Sequence, residues 1–385
     1  MADRWLILAV LFLARTAMAY QFQSVVSAGP FIVDAFEIDF ARLGTLIGLY
    51  MLPGIVIALP GGVLGQRFGD KRIVLLGLAL MAIGGGLMAA DSFLAVTSGR
   101  LLSGVGAVII NVLITKMVAD WFAGQEIVVA MGILIASWPL GLALGLVSFP
   151  PIAAYGWKAV MLTSGGVAVA CLLLVWLVYR DPPQLPARPL TLRIDLTARE
   201  WGLIVILGLI WGGYNAGYVV LIGFLPEQFT RQGFTLSEAS QLVSLLGWVL
   251  IPSVPLAGFL AERVNRPIVL MTSSLLITAL ATMALPFANS PFVVFSVIVL
   301  VIGVPAGLIM ALPAEVLPQE KRSAGMGVFY TCHYASMAVL PALAGVIRDH
   351  TNSPTAPILF VGALMAIAAA ALVGVRPLLP LARAS

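Results

Sequence analysis

Gly62-Val63-Leu64-Gly65-Gln66-Arg67-Phe68-Gly69-Asp70-Lys71-Arg72 returns in outline as Gly258-Phe259-Leu260-Ala261-Glu262-Arg263-Val264-Asn265-Arg266. The two leading glycines lie 196 positions apart in a chain of 385 residues. Each copy follows a proline-containing apolar stretch and opens another apolar stretch. A basic loop at matching places in two apolar halves is the signature of an internally repeated membrane architecture.

Composition agrees. Apolar residues make up 61% of the chain and charged residues 10%, against roughly a quarter charged in soluble domains. Lipid must therefore be the solvent for most of the chain. Its formal charge of +4 comes from cations scattered among short loops, with no basic stripe, so no nucleic-acid partner is expected. Cys171 and Cys332 fall inside apolar runs and offer no disulfide framework or metal spacing. No metal or other cofactor is expected.

Apolar segments of spanning length occur near 5–31, 42–65, 72–91, 95–120, 126–149, 158–179, 201–226, 238–261, 267–287, 291–314, 323–347 and 355–376. Each supplies about the 20 residues that a hydrocarbon core requires. They are numbered here as spans 1 to 12. The expected fold is all-α: twelve transmembrane helices in two pseudo-symmetric six-helix halves. The halves are residues 1–180 and 200–385, joined by a polar, proline-rich linker at 181–199. The run Ala17-Met18-Ala19 before Tyr20 has the form of a leader cleavage site. However, Tyr20-Gln21-x3-Val25-Val26-x2-Gly29 matches Tyr214-Asn215-x3-Val219-Val220-x2-Gly223, so the segment reads as a retained span 1.

Fifteen lysines and arginines fall on the side of both termini and the linker, and Arg42, Lys158, Arg231 and Arg348 on the other. The termini are therefore expected in the cytoplasm of a bacterial-type inner membrane. Prolines 53, 60, 139, 252, 255, 305, 313 and 341 lie inside spans and are expected to bend them.

The repeated loop resembles Gly-x-x-x-Asp-Arg-x-Gly-Arg-Arg of the major facilitator superfamily, and the resemblance covers nearly the whole chain. It implies a monomeric carrier working by alternating access, with spans 1, 4, 7 and 10 lining a central cavity. It also implies gating and structural roles for Gly62, Arg67, Gly69, Gly258, Glu262 and Arg263. Gln66 stands where the family has an acid, which should weaken the charge contact in that half. Arg100-x-x-x-Gly104-x-Gly106 resembles the family's span 4 motif, which puts an arginine in the cavity wall. The span 5 run Ser137-Trp138-Pro139 lacks the glycine that drug–proton antiporters carry before the proline. Leu59-Pro60-Gly61-Gly62, Asp120-Trp121-Phe122 and the run from Gly325 to Tyr334 resemble the branch of cyanate and nitroimidazole permeases.

Candidate solute-binding residues come from depth and spacing. Arg15 and His333 each lie about ten residues into a span, roughly 15 Å along the helix. No acidic residue sits at that depth, so Arg15 needs carbonyls, water or a bound anion. Snorkelling to the cytoplasmic face is the structural alternative. His333, with Tyr330 on the same face, could carry a proton or hydrogen-bond a solute. Trp211, Tyr214, Asn215 and Tyr218 share one face of span 7, as Tyr20, Gln23, Ser24 and Ser27 do in span 1. Asn111 and Trp138 are weaker additions. No nucleotide-binding loop or hydrolase motif occurs, so no enzyme is expected. The expected function is secondary transport of a small solute, most simply a small anion, with protons as candidate co-solute. The alternatives are efflux of a small toxic compound and a non-transporting membrane sensor.

Overall fold

A computed structural model describes residues 2–58, 65, 67–122, 126–181, 196–264, 266–318 and 321–379. The described residues contain no strand. Among the described residues, eleven helical stretches are long and apolar enough to cross a membrane. The remaining expected span, span 3, is the helix Asp70–Leu87, which opens on the charged run Asp70-Lys71-Arg72. The protein is thus an integral membrane protein with the twelve-span plan.

Most spans are single helices: Phe93–Trp121, Ile127–Ala153 and Trp157–Val178 for spans 4 to 6, and Ala198–Thr230 and Leu236–Val264 for spans 7 and 8. Arg322–Thr351 and Thr355–Val375 form spans 11 and 12. Span 1 is Ala2–Ser27 extended by Gly29–Phe36, and span 9 is Pro267–Ala284 with a 3-10 turn. Helices continue through Pro139, Pro252, Pro255, Pro313 and Pro341. Actual breaks occur in span 2, between Phe40–Leu49 and Gly54–Ile57, and in span 10, between Pro291–Val301 and Val304–Val316. Pro53 and Pro305 stand at the starts of the pieces that follow these two breaks, where the missing backbone donor costs no helical hydrogen bond.

The chain divides into two compact units, Met1–Ile38 with Leu49–Leu192, and Asp39–Gly48 with Arg193–Ser385. The first half of span 2 therefore belongs to the second unit. There it lies on span 11 at near-backbone distance. A Cβ on Gly44 or Gly48 would collide with the carbonyls of Pro341 or Ala338, and one on Gly345 with that of Phe40. Asp349 caps this short helix, its carboxylate accepting from the amides of Phe40 (3.0 Å) and Ala41 (2.7 Å).

Both halves follow one register of 196 residues. The backbone turns left-handed at Glu37 (φ 50°) and Gly233 (φ 98°), and again at Gly156 (φ 100°) and Asn352 (φ 51°). Asp39 Oδ1 accepts from the Arg42 amide as Thr235 Oγ accepts from the Glu238 amide. Lipid-facing positions match too: Trp5 and Trp201 are 37% and 39% exposed, Leu13 and Leu209 47% and 50%. This corrects the Tyr20–Tyr214 match, which is 194 positions and would place exposed side chains over buried ones.

Candidate functional site

In the first unit the site is built on span 1. Gly141 and Gly145 of span 5 let it approach closely: added Cβ atoms would meet the Thr16 carbonyl and the Gln23 side chain. Arg15 then reaches two neighbours at once. Its Nε donates to Asn111 Oδ1 on span 4 (3.0 Å), and its Nη1 to the Leu134 carbonyl (2.7 Å) and Ser137 Oγ (3.1 Å) on span 5. These three acceptors are neutral oxygens. They orient the guanidinium between spans 4 and 5. Arg15 is half-buried.

The rest of the span 1 stripe is packed. Tyr20 shares a hydrogen bond with Ser148 (2.9 Å) and lies tilted against Phe149, ring centroids 4.3 Å apart, and Gln23 donates to Ser27 (3.0 Å). Trp138 leans on Phe22, ring centroids 5.5 Å apart.

Arg100 lies elsewhere in this unit, fully buried. It donates to the carbonyls of Gln21 (3.2 Å) and Phe22 (3.0 Å), and its guanidinium sits 4.4 Å from the centre of the Tyr50 ring. Tyr50 in turn donates to the Met18 carbonyl (3.0 Å), and Gln21 to that of Met81 (2.8 Å). Arg100 therefore clasps spans 1 and 2 together around span 4. Sequence reasoning missed Gln21, Tyr50 and Ser137; an apolar-helix polar residue facing a backbone carbonyl leaves no mark in spacing.

In the second unit span 7 packs on span 11, with Gly212 against Ser336 and His333. Trp211 stacks with Tyr214 (5.7 Å) and Phe329 (6.4 Å) and lies 6.0 Å from the His333 ring. Tyr330 and Tyr334 flank His333 at 6.2 and 5.2 Å. Tyr214 donates to the Ile302 carbonyl (2.6 Å), and Asn215 Nδ2 to the Trp211 carbonyl (2.8 Å). The Tyr218 hydroxyl and His333 Nδ1 are buried with no hydrogen-bond partner among the described residues.

The repeated loops are only partly described. Gly62 and the Glu262 side chain lie outside the described residues. Arg67 lies exposed over Phe68 and Arg263 over Phe259. Lys71 caps a helix end, donating to the carbonyls of Trp176 (3.0 Å) and Tyr179 (2.7 Å) at the end of span 6. Gly69 takes φ 90° ahead of span 3, a conformation glycine adopts without penalty. A Cβ on Gly258 would meet open space. Lys116 of span 4 pairs with Asp70 and, at 3.3 Å, with Asp120.

The same plan is seen in known proteins. The "Uncharacterized transporter YycB" of Bacillus subtilis (strain 168) is 26% identical over 95% of this chain and 92% of its own. The "Hexuronate transporter" of the same organism is 22% identical over 98% and 96%. The "Probable anion transporter 7" of Oryza sativa subsp. japonica is 23% identical over 67% of each. Among solved structures, a D-xylose-proton symporter matches with TM-score 0.79 at 15% identity, over 96% of this chain and 97% of that one. The model of the Major Facilitator Superfamily matches residues 11–303 and 213–383. Two six-span halves in one register, each with a polar cluster between its first and fifth spans, are thus a membrane transporter's halves, and this chain belongs to the Major Facilitator Superfamily.

Proposed function

We propose that the protein is a secondary carrier for a small anion, with Arg15 as the anion-binding group. The observation behind this is the Arg15 guanidinium, held by Asn111, Leu134 and Ser137 through neutral oxygens. A guanidinium deep in a span and aimed by three hydrogen bonds is the planar, fork-shaped group that recognises a carboxylate or another small anion. The likeness to a hexuronate transporter and to an anion transporter supports the same reading. So does the resemblance of the span 2, span 4 and span 11 runs to the cyanate and nitroimidazole permease branch.

The test is uptake into liposomes loaded with purified protein. Arg15→Gln should lower glucuronate uptake at least tenfold, about 1.4 kcal/mol of binding. Arg15→Lys, which keeps the charge and loses the fork, should fall between. Uptake by Arg15→Gln equal to wild type, at equal melting temperature, would remove Arg15 from the site.

Two further parts of the reading go with it. The distribution of cations supports a cytoplasmic location for both termini and the linker, so a periplasm-only reporter fused after Ser385 should be silent. Protons are the proposed co-solute, with His333 as carrier. Uptake by wild type should then follow an imposed proton gradient and uptake by His333→Gln should not. A mutant that follows the gradient like wild type assigns coupling to another group.

A further inference from the structure

The second unit holds polar atoms that its own fold leaves unused. Tyr218 is 3% exposed and its hydroxyl has no hydrogen-bond partner among the described residues. His333 Nδ1 is in the same condition. A buried hydroxyl or imidazole without a partner has lost its water and gained nothing in return. Asn215 uses its amide on the Trp211 carbonyl, which leaves its side-chain oxygen as an acceptor on the same helical face. Trp211, half-buried, adds an indole whose N–H meets no acceptor among the described residues.

This set holds hydrogen-bonding groups and no permanent charge. At the matching register positions the first unit has Arg15 for Trp211 and Ser137 for His333. Where one half places a fixed cation, the other places an aromatic plate beside an imidazole. A carboxylate would find no arginine among these residues. A wholly apolar ring would leave the Tyr218 hydroxyl and the imidazole unpaired, a mismatch that sites of this kind reject strongly. A ring with C–H faces and hydroxyl edges satisfies both: the faces pack on Trp211 and the hydroxyls pair with Tyr218, Asn215 and His333.

We propose that Trp211, Asn215, Tyr218 and His333 form a subsite for the uncharged, hydroxyl-bearing ring of a solute. It stands on the second unit alone.

Calorimetric titration of the purified chain in lipid nanodiscs tests it with four probes: glucuronate, glucose, acetate and benzoate. Glucuronate should bind at least tenfold more tightly than acetate and than benzoate, and glucose should bind measurably. Trp211→Ala should remove the advantage of glucuronate and abolish glucose binding, leaving acetate affinity unchanged. Asn215→Leu provides the same test should Trp211→Ala not fold. Benzoate binding as well as glucuronate, a variant that weakens acetate equally, or no binding of either hydroxylated ring would overturn the subsite. Arg15→Gln separates the two readings. If it leaves glucuronate and acetate unaffected while Trp211→Ala still costs glucose binding, the anion reading falls and the subsite stands.

Discussion

Spans 1 and 5 of the first unit and spans 7 and 11 of the second share a register and little of their chemistry. Near the start of span 1, Arg4 pairs with Glu126 at 2.7 Å; 196 positions on from Arg4, Glu200 pairs at 2.9 Å with Lys321, one residue before the counterpart of Glu126. The ion pair recurs and its polarity is reversed. Further along, Arg15 on Ser137 becomes Trp211 beside His333. At the far end Glu227 holds Arg348 at 2.8 Å, where the first unit has the apolar Phe31 and Ile152. Duplication has preserved where side chains meet and released what they are. This is expected where helix packing in lipid depends on close fit and small residues more than on specific polar pairs.

The largest test of this contrast is Arg100. The second unit has the exposed Ser296 at its register position. Arg100→Ala should lower stability by about 3 kcal/mol, the order expected when a fully buried charged clasp is removed, whereas Ser296→Ala should stay within about 0.5 kcal/mol. Chemical denaturation of the two purified variants in one detergent compares them. Equal losses would mean that the halves do not differ there.

The reversed ion pair sharpens the comparison on a smaller scale. Arg4→Glu alone, or Glu126→Arg alone, sets like charges together and should cost up to about 1 kcal/mol, since both side chains are partly exposed. The double variant, which gives the first unit the polarity of the second, should regain most of that. A double-mutant cycle reads the coupling directly; no recovery would show that polarity is tied to its half.

The smallest effect concerns the backbone. Glu37 holds a left-handed conformation that Gly233 holds without a Cβ. Glu37→Gly should raise stability by about 0.5 kcal/mol or leave it level, because relief of that strain offsets the added freedom of the unfolded chain. A loss above about 1 kcal/mol would mean that the Glu37 side chain matters more than its conformation.

Much of this was legible in the residues. Twelve apolar runs of bilayer length, the duplicated loop at 196 positions and the depth of Arg15 and His333 could be read directly, because lipid imposes length and polarity. Asn111 was found as a polar residue in span 4. The register inside the spans was not legible. Leu, Ile, Val and Ala exchange freely along a lipid-facing helix, so Tyr20 was matched to Tyr214, two residues out of step. Left-handed turns and exposure carried the correct alignment. The partners of Arg15 and Arg100 were hidden for a related reason: Leu134, Gln21 and Phe22 contribute backbone carbonyls, which every residue has. Arg348 and Asp349 were counted only as charges of a loop, yet they bind Glu227 and the start of span 2.

That ten-residue piece, Asp39–Gly48, packs in the second unit although spans 1 and 3 on either side of it belong to the first. A gene divided in the polar stretch 181–199 would therefore not encode two self-sufficient products. The C-terminal product would keep Asp349 and lose the amides it caps, and would leave Pro341, Ala338 and Gly345 without the helix that packs on them. Only co-synthesis of both fragments would complete it, which makes fragment complementation, and not the separate behaviour of either piece, the natural assay of how this chain assembles.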